Sequence, residues 1–233
     1  MNVTAPKDRV IFALDVEDET RARALSAALK PHVGTFKIGL ELLMRGGVEL
    51  AAHVTDGAPV FIDAKLHDVP ATVRRAVQQI VRSGVTARFI TVHDGVRHAV
   101  EATEGRAGIL LVTVLTSVEV SVYGGPEALT RHVVARALKA RDEGACGVVC
   151  APTEARAVRE AVGSDFAVVT PGVRPAWATV TGDDQRRTAT AAEALHAGAS
   201  HLVIGRPLRD APDPAEAARK LVEEITSATA LGV

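Results

Sequence analysis

The chain has 233 residues, 47% of them hydrophobic, which suits one large core better than two small ones. Lys plus Arg number 27, Asp plus Glu 28, and aromatic residues make up 3%. A net charge of −1 gives no general attraction to nucleic acid or anionic membranes, and few rings are available for base stacking.

Met1 to Arg9 lacks the apolar core of a signal peptide, and no run reaches the roughly 18 apolar residues of a membrane span, so a soluble cytoplasmic protein is expected. Val10 to Asp15 predicts a first strand. Asp18 to Lys30 predicts a helix with Ala22, Leu25 and Leu29 on one face, stopped by Pro31. Thr35 to Ile38 is a second strand, followed by a helix from Leu40 to Val54 interrupted at Gly46-Gly47. Val60 to Lys65 is a third strand. The helix after it carries Val73, Ala76, Val77, Ile80 and Val81 as a core-facing stripe and ends at Ser83-Gly84.

The alternation repeats. Strands are expected at Phe89 to Val92, Ile109 to Val114, Gly147 to Cys150, Phe166 to Thr170 and Leu202 to Ile204. Helices are expected at Val96 to Thr103, Glu127 to Glu143, Thr153 to Val162, Thr188 to Ala197 and Ala215 to Ser227. Eight strand-helix units of roughly 29 residues each predict an α/β fold, a compact (β/α)₈ barrel forming one domain over residues 1–233. The longest irregular stretch, Gly172 to Arg187, lies after strand seven, and its length suits a lid.

Barrel enzymes carry their chemistry at the C-terminal ends of strands. Asp15, Lys37, Asp63 with Lys65, Thr116, Arg174 and Gly205-Arg206 all fall at that rim. Strand alternation puts Asp63 and Lys65 on the face of Phe61, opposite Val60, Ile62 and Ala64. Charge at the end of a buried strand needs a reason, and four alternating charges on the first three strands point to a site. For Asp63 and Lys65 the plainer alternative is a structural ion pair. Asp68 also reads as a helix N-cap or entry residue before Val69-Pro70, and Thr72 as a first-turn residue.

Gly205-Arg206-Pro207 follows the last strand. Pro207 suits the first position of a short helix running to about Asp210, and a glycine, a helix start and an arginine together predict an anion site. Arg174 and Gln185 are further donors from the long loop. Arg186-Arg187 reads as a solvated pair opening the next helix. The histidines show no metal-ligand spacing, and Cys146 and Cys150 read as small buried residues rather than half of a zinc site, so no metal or cofactor is expected. Nucleophile-elbow, P-loop and dinucleotide motifs are missing as well.

Over nearly the whole length these residues resemble the orotidine 5′-phosphate decarboxylase family. The resemblance rests on Phe12 to Asp15, Phe36 to Gly39, Asp63 to Pro70, Val114 to Ser117, Thr170 to Pro175, Asp184 to Arg187 and Val203 to Pro207. The D-x-K-x-x-D core is shared with sugar-phosphate decarboxylases and synthases of the same barrel group; the continuation His67-Asp68-Val69-Pro70 and the run Asp184-Gln185-Arg186-Arg187 are more specific.

The resemblance implies cofactor-free decarboxylation of orotidine 5′-phosphate to UMP, with Lys65 as proton donor and Asp63 beside the departing carboxylate. It implies that Asp15 and Lys37 hold the ribose and join the charged network, and that Thr116 contacts the pyrimidine. Arg174, Gln185, Gly205 and Arg206 would serve the lid and the phosphate. Asp68 and Thr72 would reach the partner's site in a homodimer. Val69, Ala71 and the run His93-Asp94-Gly95 depart from the family pattern, which leaves His93-Asp94 without an assigned role, as is Trp177. Two other readings stay open: a metal-dependent sugar-phosphate decarboxylase on the same barrel, and a non-catalytic sensor of phosphoribosyl ligands.

Overall fold

The computed structural model describes residues 5–178 and 187–230. Eight parallel strands close on themselves in sequence order, each hydrogen-bonded to the next and β8 to β1. They are β1 (Val10–Ala13), β2 (Thr35–Ile38), β3 (Val60–Leu66), β4 (Ala87–Val92), β5 (Gly108–Val112), β6 (Gly147–Val149), β7 (Ala167–Thr170) and β8 (His201–Ile204). The expected (β/α)₈ barrel is therefore the fold, because each strand buries both faces and can do so only with helices outside and a filled interior.

Alternation along the strands sorts the apolar residues into two cores. Ile11, Phe61, Phe89, Leu110, Val169 and Val203 fill the barrel. Val10, Phe12, Val60, Ile62, Ile90 and Leu202 pack outward against the helices. Those helices are α1 (Glu19–Leu29), α2 (Leu40–Thr55), α3 (Pro70–Arg82), α4 (Val96–Thr103), α5 (Pro126–Asp142), α6 (Ala155–Val162), α7 (Ala191–His196), the short α8 (Arg206–Arg209) and α9 (Pro214–Ala230). In α2 the backbone leaves helical geometry at Gly46 and Gly47, where the sequence places the interruption, and Gly47 takes φ +67°.

Several boundaries differ from expectation. β5 stops at Val112, not Val114. α7 begins at Ala191 rather than Thr188: Thr190 accepts the Glu193 N–H, and the Glu193 carboxylate accepts the Thr190 N–H, a reciprocal cap that starts the helix there. Pro207 occupies the second helical position of α8, with Gly205 as the cap. Val69, not Asp68, caps α3, and the Asp68 carboxylate accepts the Val69 N–H at 2.6 Å. Cys150 is buried as expected, whereas Cys146 is only partly covered and its thiol donates to the Ile109 carbonyl.

The N-terminal end of the barrel is sealed by a polar cluster. Arg88 donates to Thr35 Oγ1 at 2.9 Å and contacts His201 Nε2 at 3.0 Å, and His201 Nδ1 meets Ser200 Oγ at 2.9 Å. A guanidinium can only donate, so Nε2 accepts and the ring proton sits on Nδ1. His201 also stacks edge-on against Phe89, with ring centroids 5.5 Å apart.

Candidate active site

At the opposite end, the C-terminal rim encloses a cavity of about 540 Å³. Asp15, Lys37, Asp63, Lys65, Thr116, Arg174, Gly205 and Arg206 all line it. Its floor is apolar, made by Ala13, Phe61, Val149, Cys150 and Val203.

Four charged side chains form a row of alternating sign. Lys37 Nζ lies 3.0 Å from Asp15 Oδ1 and 3.6 Å from Asp63 Oδ2, and Lys65 Nζ lies 2.7 Å from the same Asp63 oxygen. The other Asp63 oxygen accepts the Thr91 hydroxyl at 3.0 Å. Burial alone would raise the Asp63 pKa, but Lys37 and Lys65, with the hydrogen bonds from Lys65 and Thr91, hold it below the usual carboxylate range. Burial would likewise lower the pKa of Lys37, and the Asp15 and Asp63 carboxylates outweigh it, so the ammonium is held charged above its ordinary range.

The backbone bends to make this row. Lys65 has φ +48°, a left-handed conformation unusual for a lysine, and the register between β3 and β4 shifts between Ile62 and Leu66. Thr91 Oγ1 accepts the Lys65 N–H at 2.9 Å while donating to Asp63, so one buried hydroxyl fixes both residues. Gly39 makes room for the Asp15–Lys37 pair, since a Cβ there would stand 3.0 Å from Asp15 Oδ1 and 3.3 Å from Lys37 Nζ.

Asp68 and Thr72 do not line this cavity. Asp68 is exposed and belongs to a separate surface depression with His67, Val69, Pro70 and Asp94. Among the described residues, Lys65 pairs with one carboxylate, that of Asp63. His93 and Asp94 lie outside the charged row: the His93 carbonyl accepts from Arg136 at 2.6 Å, and Asp94 accepts the Gly95 N–H. Gln185 and Arg186 lie outside the described residues.

Arg187 departs from the expected solvated pair. It is 8% exposed, and its guanidinium donates to Glu154 Oε1 at 2.8 Å and to the Leu115 carbonyl at 3.0 Å. Its two flanking partners come from other loops, so no local pattern in the sequence marks it. Arg209 is a further omission: it lines the cavity beside Arg206 and donates to the Asp15 carbonyl at 2.9 Å.

Residues 8–221 match the family model described as Orotidine 5′-phosphate decarboxylase / HUMPS family. The chain belongs to that family. An orotidine 5′-phosphate decarboxylase from Desulfosudis oleivorans is 44% identical, over 96% of this chain and 95% of the relative. One from a Rhodopseudomonas palustris strain is 45% identical over 97% of each. Among solved structures, the orotidine 5′-phosphate decarboxylase from Lactobacillus acidophilus superposes with a TM-score of 0.78 at 30% identity, covering 94% of this chain and 99% of that one. The family match runs through both the charged row and the Gly205-Arg206 end of the cavity, so the motifs quoted from the sequence and the geometry describe one region. Among the described residues no cluster of three or more His, Cys, Asp or Glu side chains could hold a metal, and no helix is long and apolar enough to cross a membrane.

Proposed function

We infer that this chain decarboxylates orotidine 5′-phosphate to UMP, with Lys65 delivering the proton that replaces CO₂ at C6. The observation that carries this reading is the row Asp15–Lys37–Asp63–Lys65 at the end of an apolar-floored cavity, in a chain about 44% identical to relatives named for that activity. Loss of CO₂ from C6 leaves a localised carbanion with no conventional electron sink. An ammonium held beside a carboxylate supplies both the stabilising charge and the proton. At about 4 Å and an effective dielectric near 20, one unit-charge contact is worth roughly 4 kcal/mol, and the Asp63 carboxylate 2.7 Å from Lys65 Nζ favours an ammonium that donates a proton over a Schiff-base amine.

Asp63 would face the departing carboxylate, while Asp15 and Lys37 would hold the ribose hydroxyls and Thr116 the pyrimidine. Arg206 with the Gly205 end of α8, together with Arg174 and Gln185, would take the phosphate side. The barrel would act as one domain over the whole chain, in the cytoplasm, as a homodimer in which Asp68 and Thr72 complete the partner's site. Their position away from their own cavity supports that division.

A metal-dependent sugar-phosphate reaction fits the charged row less well. Both Asp63 oxygens are engaged, one by two ammonium groups and the other by Thr91, and a divalent cation placed there would face Lys37 and Lys65. The deciding assay follows pyrimidine absorbance after adding orotidine 5′-phosphate in the presence of EDTA. Steady loss is expected. UMP binding without turnover would point to a sensor, and EDTA-sensitive turnover of sugar phosphates to the metal-dependent reaction.

A further inference from the structure

Three loops at the cavity rim are tied together by one buried ion pair that the charged row does not include. Glu154 is 3% and Arg187 8% exposed. Glu154 Oε1 takes Arg187 Nη1 at 2.8 Å and the Thr153 hydroxyl at 2.5 Å, and Oε2 accepts the Ala151 N–H at 3.1 Å. Arg187 Nη2 donates to the Leu115 carbonyl at 3.0 Å. Leu115, Thr116 and Cys150, the neighbours of these contacts in sequence, all line the cavity. Two residues beyond Arg187, Ala189 bridges Val173, and its carbonyl accepts the Arg174 N–H at 2.8 Å.

A buried ion pair adds little net stability over an apolar replacement, so its use here is orientation. A guanidinium is suited to that because its planar fork fixes a carboxylate and a carbonyl relative to each other. We propose that Arg187, held by Glu154, is a positioning residue for Thr116, setting the β5 loop through the Leu115 carbonyl so that Thr116 meets the substrate's base. The inference rests on the proposed decarboxylase reading, in which Thr116 contacts the pyrimidine.

The test is a kinetic cycle on the full-length enzyme with orotidine 5′-phosphate, using Arg187→Met, Thr116→Ala and the double variant. Turnover by the unsubstituted protein checks the functional reading separately. Misplacing a contact by an ångström costs on the order of 10²-fold, so Arg187→Met should lower kcat/KM about that much, mainly through KM. In the Thr116→Ala background the same substitution should cost less than about 3-fold further, because its target is gone. Multiplicative losses, or wild-type kcat/KM in Arg187→Met, would overturn the proposal. If Arg187→Met fails to fold, Glu154→Gln, which removes the charge and one of the two acceptor oxygens that hold Arg187 and the Ala151 N–H, goes through the same cycle with the same two outcomes.

Discussion

The ammonium groups of Lys37 and Lys65 converge on a single oxygen, Asp63 Oδ2, at 3.6 and 2.7 Å. Two cations on one atom repel each other, and the arrangement holds because Asp15 takes a second side of Lys37. Among the described residues, Lys65 is paired with the Asp63 carboxylate alone.

Lys65→Ala should lower kcat by at least about 10³-fold while the protein stays folded and still binds UMP, as measured by absorbance assay and isothermal titration. Near-normal turnover would remove Lys65 from the role of acid. Because φ at this position is +48°, Lys65→Gly should be about 1 kcal/mol more stable than Lys65→Ala in urea denaturation. Equal midpoints would show that the backbone relaxes when the lysine is lost.

Thr91→Val keeps the side-chain shape but removes the donor to Asp63 and the acceptor for the Lys65 N–H. A loss of about 1–3 kcal/mol in stability and a fall in kcat larger than any rise in KM are expected. Thr91→Ser should restore most of both. Failure of serine to rescue would mean that the methyl group is required as well as the hydroxyl.

If Arg206 holds the phosphate as proposed, Arg206→Ala should raise KM for orotidine 5′-phosphate by about 10²-fold or more and leave the slow turnover of phosphate-free orotidine within about 3-fold. Equal losses on both substrates would contradict that assignment.

Mixing Asp68→Ala and Lys65→Ala subunits tests the shared site. If Asp68 serves the partner, half of the sites in a mixed dimer regain both groups, and the mixture should recover activity that neither variant has alone. A mixture as inactive as its components would assign Asp68 to its own barrel.

His201 makes stability depend on pH. Burial, with repulsion from Arg88 and Arg9, pulls its pKa from 6.5 down to about 3. The folded state thus favours the neutral ring, so this contribution is complete above about pH 6.5 and drains away as pH falls toward 3, with a slope approaching about 1.4 kcal/mol per unit. Urea midpoints should fall between pH 7 and 4.5, and His201→Gln should flatten that decline. Identical slopes in the two proteins would exonerate the histidine.

The barrel was readable because strand and helix periods alternate eight times, and most of the rim because charge at the end of a buried strand is costly and therefore conspicuous. Asp15, Lys37, Asp63 and Lys65 were legible for that reason. Thr91 was not: a threonine inside Phe89-Ile90-Thr91-Val92 reads as an ordinary β-former, and its partners lie 26 and 28 residues away. Arg187 reads as solvated because two adjacent arginines carry no local sign of the buried carboxylate 33 residues earlier that meets the second of them. Arg209 hid for a similar reason, being linked to a carbonyl 194 residues distant. Side chains that act on residues brought close only by barrel closure leave no local period to detect.

The Arg88–His201 seal has a consequence for traffic. Among the described residues, Phe61 and Phe89 fill the interior above it, and the charged cavity lies at the opposite rim. Under the proposed reaction, carbon dioxide formed at the charged row would have this packed interior on one side and, on the other, the rim it shares with the nucleotide. The order in which gas and nucleotide depart is therefore decided at the rim, and residues far from the bond being broken can set the pace of the whole cycle.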